Sequence, residues 1–281
     1  MSILLGENNY GKQRIRLLRV SRLGGSHDIQ ELTIGIRFEG DFQSAHTHGD
    51  NKKILPTDTM KNTVYALARR HPIDAIETFC AQLVDHFLSN NPQATSVSVM
   101  ATETLWARFP FSGKPYAQTF TRSSDERRTA QVDGSRSAKS VKAGIEGLVV
   151  LKTTNSAFED FLRDEFTTLK ETRDRILSTV IQANWTYRGA DLNYETLWQG
   201  VRKLMLETFA AHDSKSVQQT LYAMGEAVLN NFENIREIQL SLPNKHYLPV
   251  DLSPFEMNNP GEIFLPTDEP HGLIEATLRR D

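Results

Sequence analysis

Hydrophobic and polar residues alternate along two stretches near the start of the chain. Residues 12–20 read KQRIRLLRV and residues 29–40 read IQELTIGIRFEG, and Gly24-Gly25 lies between them. A period of two is typical of β-strands, and paired glycines are typical of a tight turn. The pattern therefore predicts a long β-hairpin over residues 12–40.

The pattern changes to helical spacing after this hairpin. Thr57 or Asp58 can cap a helix that runs to Arg70, where Pro72 follows and breaks it. Apolar residues at helical spacing over 73–88 predict a second helix. Further strands are predicted over 95–109 and 116–123, and the polar stretch 123–142 is either an exposed hairpin or a loop.

The same order of elements returns in the second half. Its strands are predicted over 145–154, 179–188, 235–244 and 272–280, and its helices over 194–211 and 216–232. The repeat predicts an α+β fold with two domains, residues 1–138 and 139–281, each an antiparallel sheet covered on one face by a helix pair. Apolar positions on both sides of the strands predict that several sheets close on each other in a symmetric oligomer.

Composition narrows the class of function. The 281 residues are 39% hydrophobic and 24% charged, which is typical of a soluble globular protein. A net charge of -3 gives no attraction for nucleic acid or for an anionic membrane surface. The apolar run at the start is too short for a signal peptide, and no segment reaches the length of a membrane span. We expect a cytoplasmic protein.

Few residues suggest cofactor chemistry. A single cysteine excludes an internal disulfide and a multi-thiolate zinc site. Cys80 falls on the apolar stripe of the second predicted helix, which favours a core position over a nucleophile. His46 and His48 could bind a metal from one side of a strand, or they lie in a solvated turn before Gly49. No P-loop or dinucleotide fingerprint is found, so a redox function must manage without these carriers.

Three polar residues interrupt the strand pattern in SLPNKHYLPVDL, residues 241–252. Asn244, Lys245 and His246 follow an apolar run directly. Because burying polar side chains without partners is costly, they either form a turn with a hydrogen-bonded histidine or have a functional role. Arg175 lies in a segment whose charges alternate in sign, and the pattern alone favours a solvated side chain.

Several motifs resemble those of one family. The segment TTNSAFEDFLRDEFTTLKETRDR at residues 153–175, preceded by LVVLK, is similar to the signature segment of the urate oxidases (uricases). Four further motifs resemble the same family in its order and at comparable spacing: YGK at 10–12, TDTMKNTVY at 57–65, SVQQTLY at 216–222 and SLPNKHY at 241–247. Together the five motifs span nearly the whole chain.

The resemblance implies a fold, an assembly and an activity. Uricases consist of two tandem tunnelling-fold (T-fold) domains, and four subunits form a homotetramer with a central tunnel and with active sites at subunit interfaces. They oxidise urate with O2 and water to 5-hydroxyisourate and H2O2, with O2 as co-substrate and without a metal or an organic cofactor. The alternative is a T-fold protein that binds urate or another purine without catalysis.

The resemblance also implies substrate-binding residues. Phe158 would stack on the flat purine, and Arg175 would bind the carbonyl and ring nitrogen at one end of urate. The amide of Gln218 and the backbone of Val217 would pair with the other end. An analogue that lacked one of these groups would leave a buried partner unpaired.

Catalytic residues are carried over in the same way. Lys12, Thr57 and His246 resemble the family's proton relay, since a urate dianion reduces O2 better than a monoanion does. Asn244 would hold O2, peroxide or water above the purine plane. Thr57 and Asp58 would reach the site from a neighbouring subunit. The chain ends TLRRD rather than in a peroxisomal Ser-Lys-Leu signal, so we expect a bacterial cytoplasmic enzyme.

Overall fold

The chain divides into two compact units in the computed structural model, which describes residues 3–111, 114–122, 124–189 and 192–281. The first unit comprises residues up to 144 together with 189–198, and the second comprises 145–188 and 199–281. The predicted α+β class with two successive domains is confirmed. The domain boundary placed after residue 138 lies directly before strand β7 (Lys139–Lys152) and stays a prediction.

The first unit contains four strands of one antiparallel sheet. They are β1 (Tyr10–Leu23), β2 (Ser26–Gly40), β3 (Ala94–Thr104) and β6 (Arg127–Ser135), and β4 (Ala107–Phe111) and β5 (Lys114–Thr121) form a separate hairpin. Neighbouring strands follow the order β1-β2-β3-β6. Its helices are α1 (Gln43–His48), α2 (Thr57–Arg70) and α3 (Ile76–Asn90). The hairpin predicted over residues 12–40 is confirmed as β1 and β2.

Alternation along β2 separates the two faces of this sheet. Leu32, Ile34, Ile36 and Phe38 are completely buried in a core shared with α2 and α3. The opposite face carries polar side chains, among them Gln13, Arg37, Ser98 and Gln131. The same face also carries Met100, which is 46% exposed, so the expectation of apolar positions on both faces holds only in part here.

Two local expectations in the first unit also need correction. Residues 124–142 contain β6, and a short connection joins β6 to the neighbouring strand β7, so the hairpin alternative is correct and the loop alternative is wrong. The hairpin is not exposed as expected, because Ala130 and Val132 of β6 are buried in the core; residue 123 lies outside the described residues. Helix α2 begins at Thr57 after Pro56, and no side chain caps it. The capping role assigned to Thr57 or Asp58 is therefore wrong.

The second unit repeats the arrangement. Strands β8 (Leu177–Tyr187), β9 (Ile235–Pro249) and β10 (Phe264–Arg279) follow β7 in the order β7-β8-β9-β10. Its helices are α4 (Tyr194–Ala211), which joins this unit from residue 199, and α5 (Val217–Asn231), besides a 3-10 helix at Ser253–Phe255. Helix α5 packs on β9 and β10. No helix in the described ranges is long and apolar enough to cross a membrane.

Candidate active site

A cavity of about 630 Å³ opens in the second unit. Phe158, Arg175, Asn244 and His246 are among the residues that line it. Cavities of several hundred cubic ångströms with a few polar groups are typical of small-molecule sites. The structure therefore brings together four of the residues singled out from the sequence.

Backbone hydrogen bonds hold Phe158 and Arg175 at this cavity. The amide of Phe158 donates to the carbonyl oxygen of Thr172 (2.8 Å), and its own carbonyl accepts from the amide of Thr172 (3.0 Å). The amide of Arg175 donates to the carbonyl of Ser156 (2.8 Å). The segment between β7 and β8 is irregular, yet these hydrogen bonds hold it at both ends, so the backbone positions of Phe158 and Arg175 have a fixed spacing.

Asp174 fixes the same segment through its carboxylate. The hydroxyl of Thr154 donates to it over 2.7 Å, and the amide of Ser156 lies within 3.4 Å. The hydrogen bond from Thr154 is the main cause that holds the pKa of Asp174 below its usual range. The carboxylate is thus ionised at neutral pH, and it ties residues on either side of Phe158 together.

Arg175 is the most informative side chain in the cavity. Its guanidinium carbon lies 5.3 Å from the ring centroid of Phe158, within the range of a cation–π contact. Its Nε atom is buried and has no hydrogen-bond partner among the described residues. Burial lowers the pKa of Arg175, which at neutral pH still carries its charge. A buried cation with an unused donor suits a planar, anionic acceptor.

Ser214 joins this segment to the start of α5. Its carbonyl accepts from the amide of Ala157 (2.7 Å), and its amide donates to the carbonyl of Asn155 (3.0 Å). The hydroxyl of Thr220 donates to the hydroxyl of Ser214 (2.7 Å). Since Ala157 directly precedes Phe158, the first turn of α5 is tied to the backbone that carries the aromatic ring.

The N-terminal turn of α5 contains Val217 and Gln218. Ser216 caps the helix by accepting from the amide of Gln219 (3.1 Å), and the side chain of Gln219 accepts from the amide of Lys215 (2.8 Å). Val217 is buried, whereas Gln218 is exposed. Neither is among the residues that line the cavity. The capped turn nevertheless fixes the backbone position of both residues.

Strand β9 brings Asn244 and His246 to the cavity without a turn. The turn alternative for Asn244, Lys245 and His246 is wrong, because β9 continues to Pro249. Asn244 pairs with β8 and β10, and the irregularity lies on β10, where the register shifts between the partners of Asn244 and His246. Successive side chains of a strand point to opposite sides, so Asn244 and His246 share one side.

Lys245 lies between these two residues and has a structural partner. Its ammonium group forms an ion pair with Asp268 over 2.9 Å. Asp268 belongs to the four residues of β10 at which the register shifts. Lys245 nevertheless also lines the cavity. The ion pair indicates that Lys245 has a structural role.

Lys12, Thr57 and Asp58 belong to the first unit and do not line this cavity. Lys12 precedes a register shift in β1, and such bulges re-aim side chains. Thr57 is the half-buried first residue of α2. The pKa of Asp58 is lowered mainly by a hydrogen bond from Lys61 and also by the charge of Lys12. Lys12 and Asp58 are therefore electrostatic neighbours.

The pattern of the sequence did not single out the other lining residues. Among them are Leu169, Lys170, Thr172, Tyr247, Leu248, Pro260, Gly261 and Phe264. The first three lie in the signature segment, so they were within reach of the motif comparison. Pro260-Gly261 carried a turn signal, and Gly261 has a φ of 87°. Tyr247 closes the motif at 241–247, so it too was within reach of the motif comparison. Leu248 and Phe264 had no such signal, because the pairing of β9 with β10 brings them here.

The candidate cofactor ligands lie elsewhere. Cys80 is completely buried in the core of the first unit, and burial raises the pKa of its thiol. The core position predicted for it is confirmed. His46 and His48 are exposed on the short helix α1, so the strand alternative for a metal site is wrong. Over the ranges that the structure describes, no three metal-ligating side chains of the Cys, His, Asp or Glu type cluster.

Comparison with known proteins identifies the family. The Uricase family model matches residues 8–133 and 141–275. The uricase of Arthrobacter globiformis is 43% identical over 279 residues, 99% of this chain and 91% of that protein, and the uricase of Aspergillus flavus is 38% identical over 96% of this chain and 95% of that protein. The crystal structure of the Arthrobacter globiformis uricase superposes with a TM-score of 0.94 over 100% of this chain and 96% of that one. The chain therefore belongs to the uricase family.

Proposed function

We propose that the chain oxidises urate with O2 and water to 5-hydroxyisourate and H2O2, and that it does so without a metal or an organic cofactor. One observation carries the proposal beyond family membership. The buried Nε of Arg175 is without a partner among the described residues, and its guanidinium lies over Phe158 in the cavity that Asn244 and His246 also line. A planar purine anion satisfies both groups.

Substrate binding uses the flat shape and the polar edge of urate. The ring of Phe158 stacks on the purine, while the fork of Arg175 donates to adjacent acceptors at one end. Val217 and Gln218 pair with the opposite end through a backbone group and a side-chain amide. Support for their placement comes from the hydrogen bonds through Ser214, which tie the start of α5 to the Phe158 segment.

The chemistry consists of proton removal, electron transfer and hydration. Lys12 and Thr57 take a proton from the urate monoanion, and the dianion passes two electrons to O2. Asn244 holds O2 and later the attacking water above the purine. The reduced oxygen leaves as H2O2 with two protons: the relay through His246 returns the proton that was taken from urate, and the solvent supplies the other. Water then adds to the oxidised purine and gives 5-hydroxyisourate.

We further propose a homotetramer in which each site uses two subunits. By family resemblance Thr57 and Asp58 come from a neighbouring subunit, and Lys12 accompanies them because its charge acts on Asp58 within the same unit. The second subunit would thus supply the base and the hydroxyl of the relay. Oligomerisation is then a condition for turnover. We propose the cytoplasm as its location.

The direct test is urate turnover by protein freed of metals with a chelator and then desalted. We expect loss of urate absorbance together with H2O2, measured by a peroxidase-coupled dye. Absence of turnover, or turnover that returns only when a metal is added, would overturn the proposed reaction.

The shared site has a test of its own. Thr57→Ala and Arg175→Ala each disable one half of a site that two subunits build. When the two variants are co-expressed and co-purified, the mixed oligomers should regain part of the activity that neither variant has alone. Some of their sites then combine an intact Thr57 half with an intact Arg175 half. Lys52→Ala, at an exposed position, is the control for a surface change. No regain in verified mixed oligomers would show that each site uses one chain.

A further inference from the structure

The ring of Phe158 is stacked on a second aromatic ring. The centroids of Phe158 and Phe161 lie 5.0 Å apart, and their planes differ by 13°. Phe158 lines the cavity, whereas Phe161 does not. Phe161 therefore contacts Phe158 from the side that is turned away from the cavity.

A sharp turn makes this contact possible. Asp160 lies between the two rings in the sequence and has a φ of 57°, in the left-handed region that aspartate tolerates better than most residues. The chain bends there, and the ring of Phe161 lies against that of Phe158. Phe161 itself is half-buried, although most of the following residues are exposed.

Arg163 extends the stack by one more layer. Its guanidinium carbon lies 4.8 Å from the ring centroid of Phe161. Its two terminal nitrogens point to the carboxylate of Glu171 (3.3 Å) and the carbonyl of Leu169 (3.5 Å). Glu171 and Leu169 line the cavity. Arg163 thus connects the rear of the aromatic stack with another part of the cavity lining.

The stack restricts the orientation of the Phe158 ring, which the backbone hydrogen bonds do not fix. Two backbone hydrogen bonds to Thr172 fix the main chain of Phe158, but they leave rotation about its side-chain bonds free. Stacking on a purine requires a defined ring plane, since an aromatic contact depends on geometry. A ring that is ordered before the ligand arrives also loses less entropy when the ligand binds.

We propose that Phe161, held by Arg163, is a positioning residue that fixes the plane of the Phe158 ring for the stacked substrate. The inference rests on the proposed function, in which Phe158 stacks on urate. Phe161 does not touch the substrate, so its loss weakens binding of urate and leaves the chemical step intact.

The test separates KM from kcat. Phe161→Ala should raise the KM for urate roughly three- to ten-fold, the equivalent of one lost aromatic contact, while kcat stays within about two-fold of the wild-type value. Phe161→Tyr keeps the ring and should retain the wild-type KM. Phe166→Ala removes an exposed phenylalanine from the same loop and should change neither constant.

Arg163 offers a second, weaker perturbation. Arg163→Gln should raise KM by less than Phe161→Ala does, because the two rings remain stacked. Arg173→Gln, at an arginine of the same loop whose side chain is 92% exposed, is the matched control. If Phe161→Ala fails to fold, Phe161→Leu keeps the bulk without the ring and replaces it.

Each outcome has one meaning. A wild-type KM in Phe161→Ala, an equal rise in Phe161→Tyr, or a fall in kcat at constant KM overturns the positioning role. Wild-type protein that does not turn over urate overturns the proposed function instead, and that result is read before any variant is compared.

Discussion

Glu103 lies on β3, on the face of the first sheet that α3 covers. Its cross-strand neighbour is Arg128 on β6. Arg128 is almost completely buried and donates to Glu77 of α3 over 2.8 Å and also to Glu195 of α4. The buried guanidinium of Arg128 thus has three carboxylates near it. It donates hydrogen bonds to those of Glu77 and Glu195 but not to that of Glu103.

The pKa of Glu103 is raised from 4.5 to about 7, and burial is the main cause; the charge of Arg128 lowers the pKa, while the charges of Glu195 and Glu77 raise it. In the unfolded chain Glu103 titrates near its ordinary value. The folded protein therefore binds more protons than the unfolded chain between about pH 4.5 and 7, so the contribution of Glu103 to stability falls as the pH rises through that window. A change from 4.5 to about 7 corresponds to roughly 3 kcal/mol at ~1.4 kcal/mol per pKa unit.

Glu103→Gln removes this ionisation and keeps the shape of the side chain. We expect the variant to gain stability over the wild type on going from about pH 5 to about pH 8.5, by about 2 kcal/mol. Urea unfolding of both proteins at one fixed protein concentration measures the difference, since assembly contributes to stability. Glu226→Gln, at an exposed position on α5, is the control and should show no such change.

A difference between Glu103→Gln and wild type that is the same at both pH values would refute the reasoning. It would mean that Glu103 is ionised in the folded protein over the whole range. A difference of the opposite sign would show that Arg128 stabilises the ionised carboxylate more than burial disfavours it.

Three further changes test other parts of the structure. Arg128→Met leaves the fully buried Glu77 without its cation and should cost roughly 3–5 kcal/mol of unfolding free energy; Glu77→Gln in the same chain should restore much of it in urea unfolding. Gly11→Ala places a Cβ 1.9 Å from the carbonyl oxygen of Ile36, so the free energy of unfolding should fall by about 1–3 kcal/mol, measured as a lower melting temperature. Gly6→Ala is the control, because its Cβ meets no atom within 4 Å and stability should not change. Arg175→Lys keeps the charge but loses the planar fork, so the KM for urate should rise about ten-fold or more in steady-state kinetics.

Local patterns predicted the regular elements well where one face was apolar. The predicted helix over residues 194–211 agrees with α4, and the first hairpin agrees with β1 and β2. The burial of β6 was missed because its core face carries Arg128 together with small residues, which gives no strong hydrophobic alternation. The length of β9 was underestimated because Asn244 to His246 resembled a turn, although pairing with β8 and β10 keeps them in the strand.

By itself the sequence determined the class of fold, the duplication, and through its motifs the family. The order and spacing of residues within short segments contain the information on fold class, duplication and family. The motifs also assigned Phe158, Arg175, Asn244 and His246 to one site. Only the tertiary structure showed the cavity that they line, the stack of Phe161 and Arg163 behind it, and the burial of Arg128 among carboxylates. The physical reason is that burial and the partners of a polar group depend on segments distant in the chain, whereas periodicity reports only a residue's nearest neighbours.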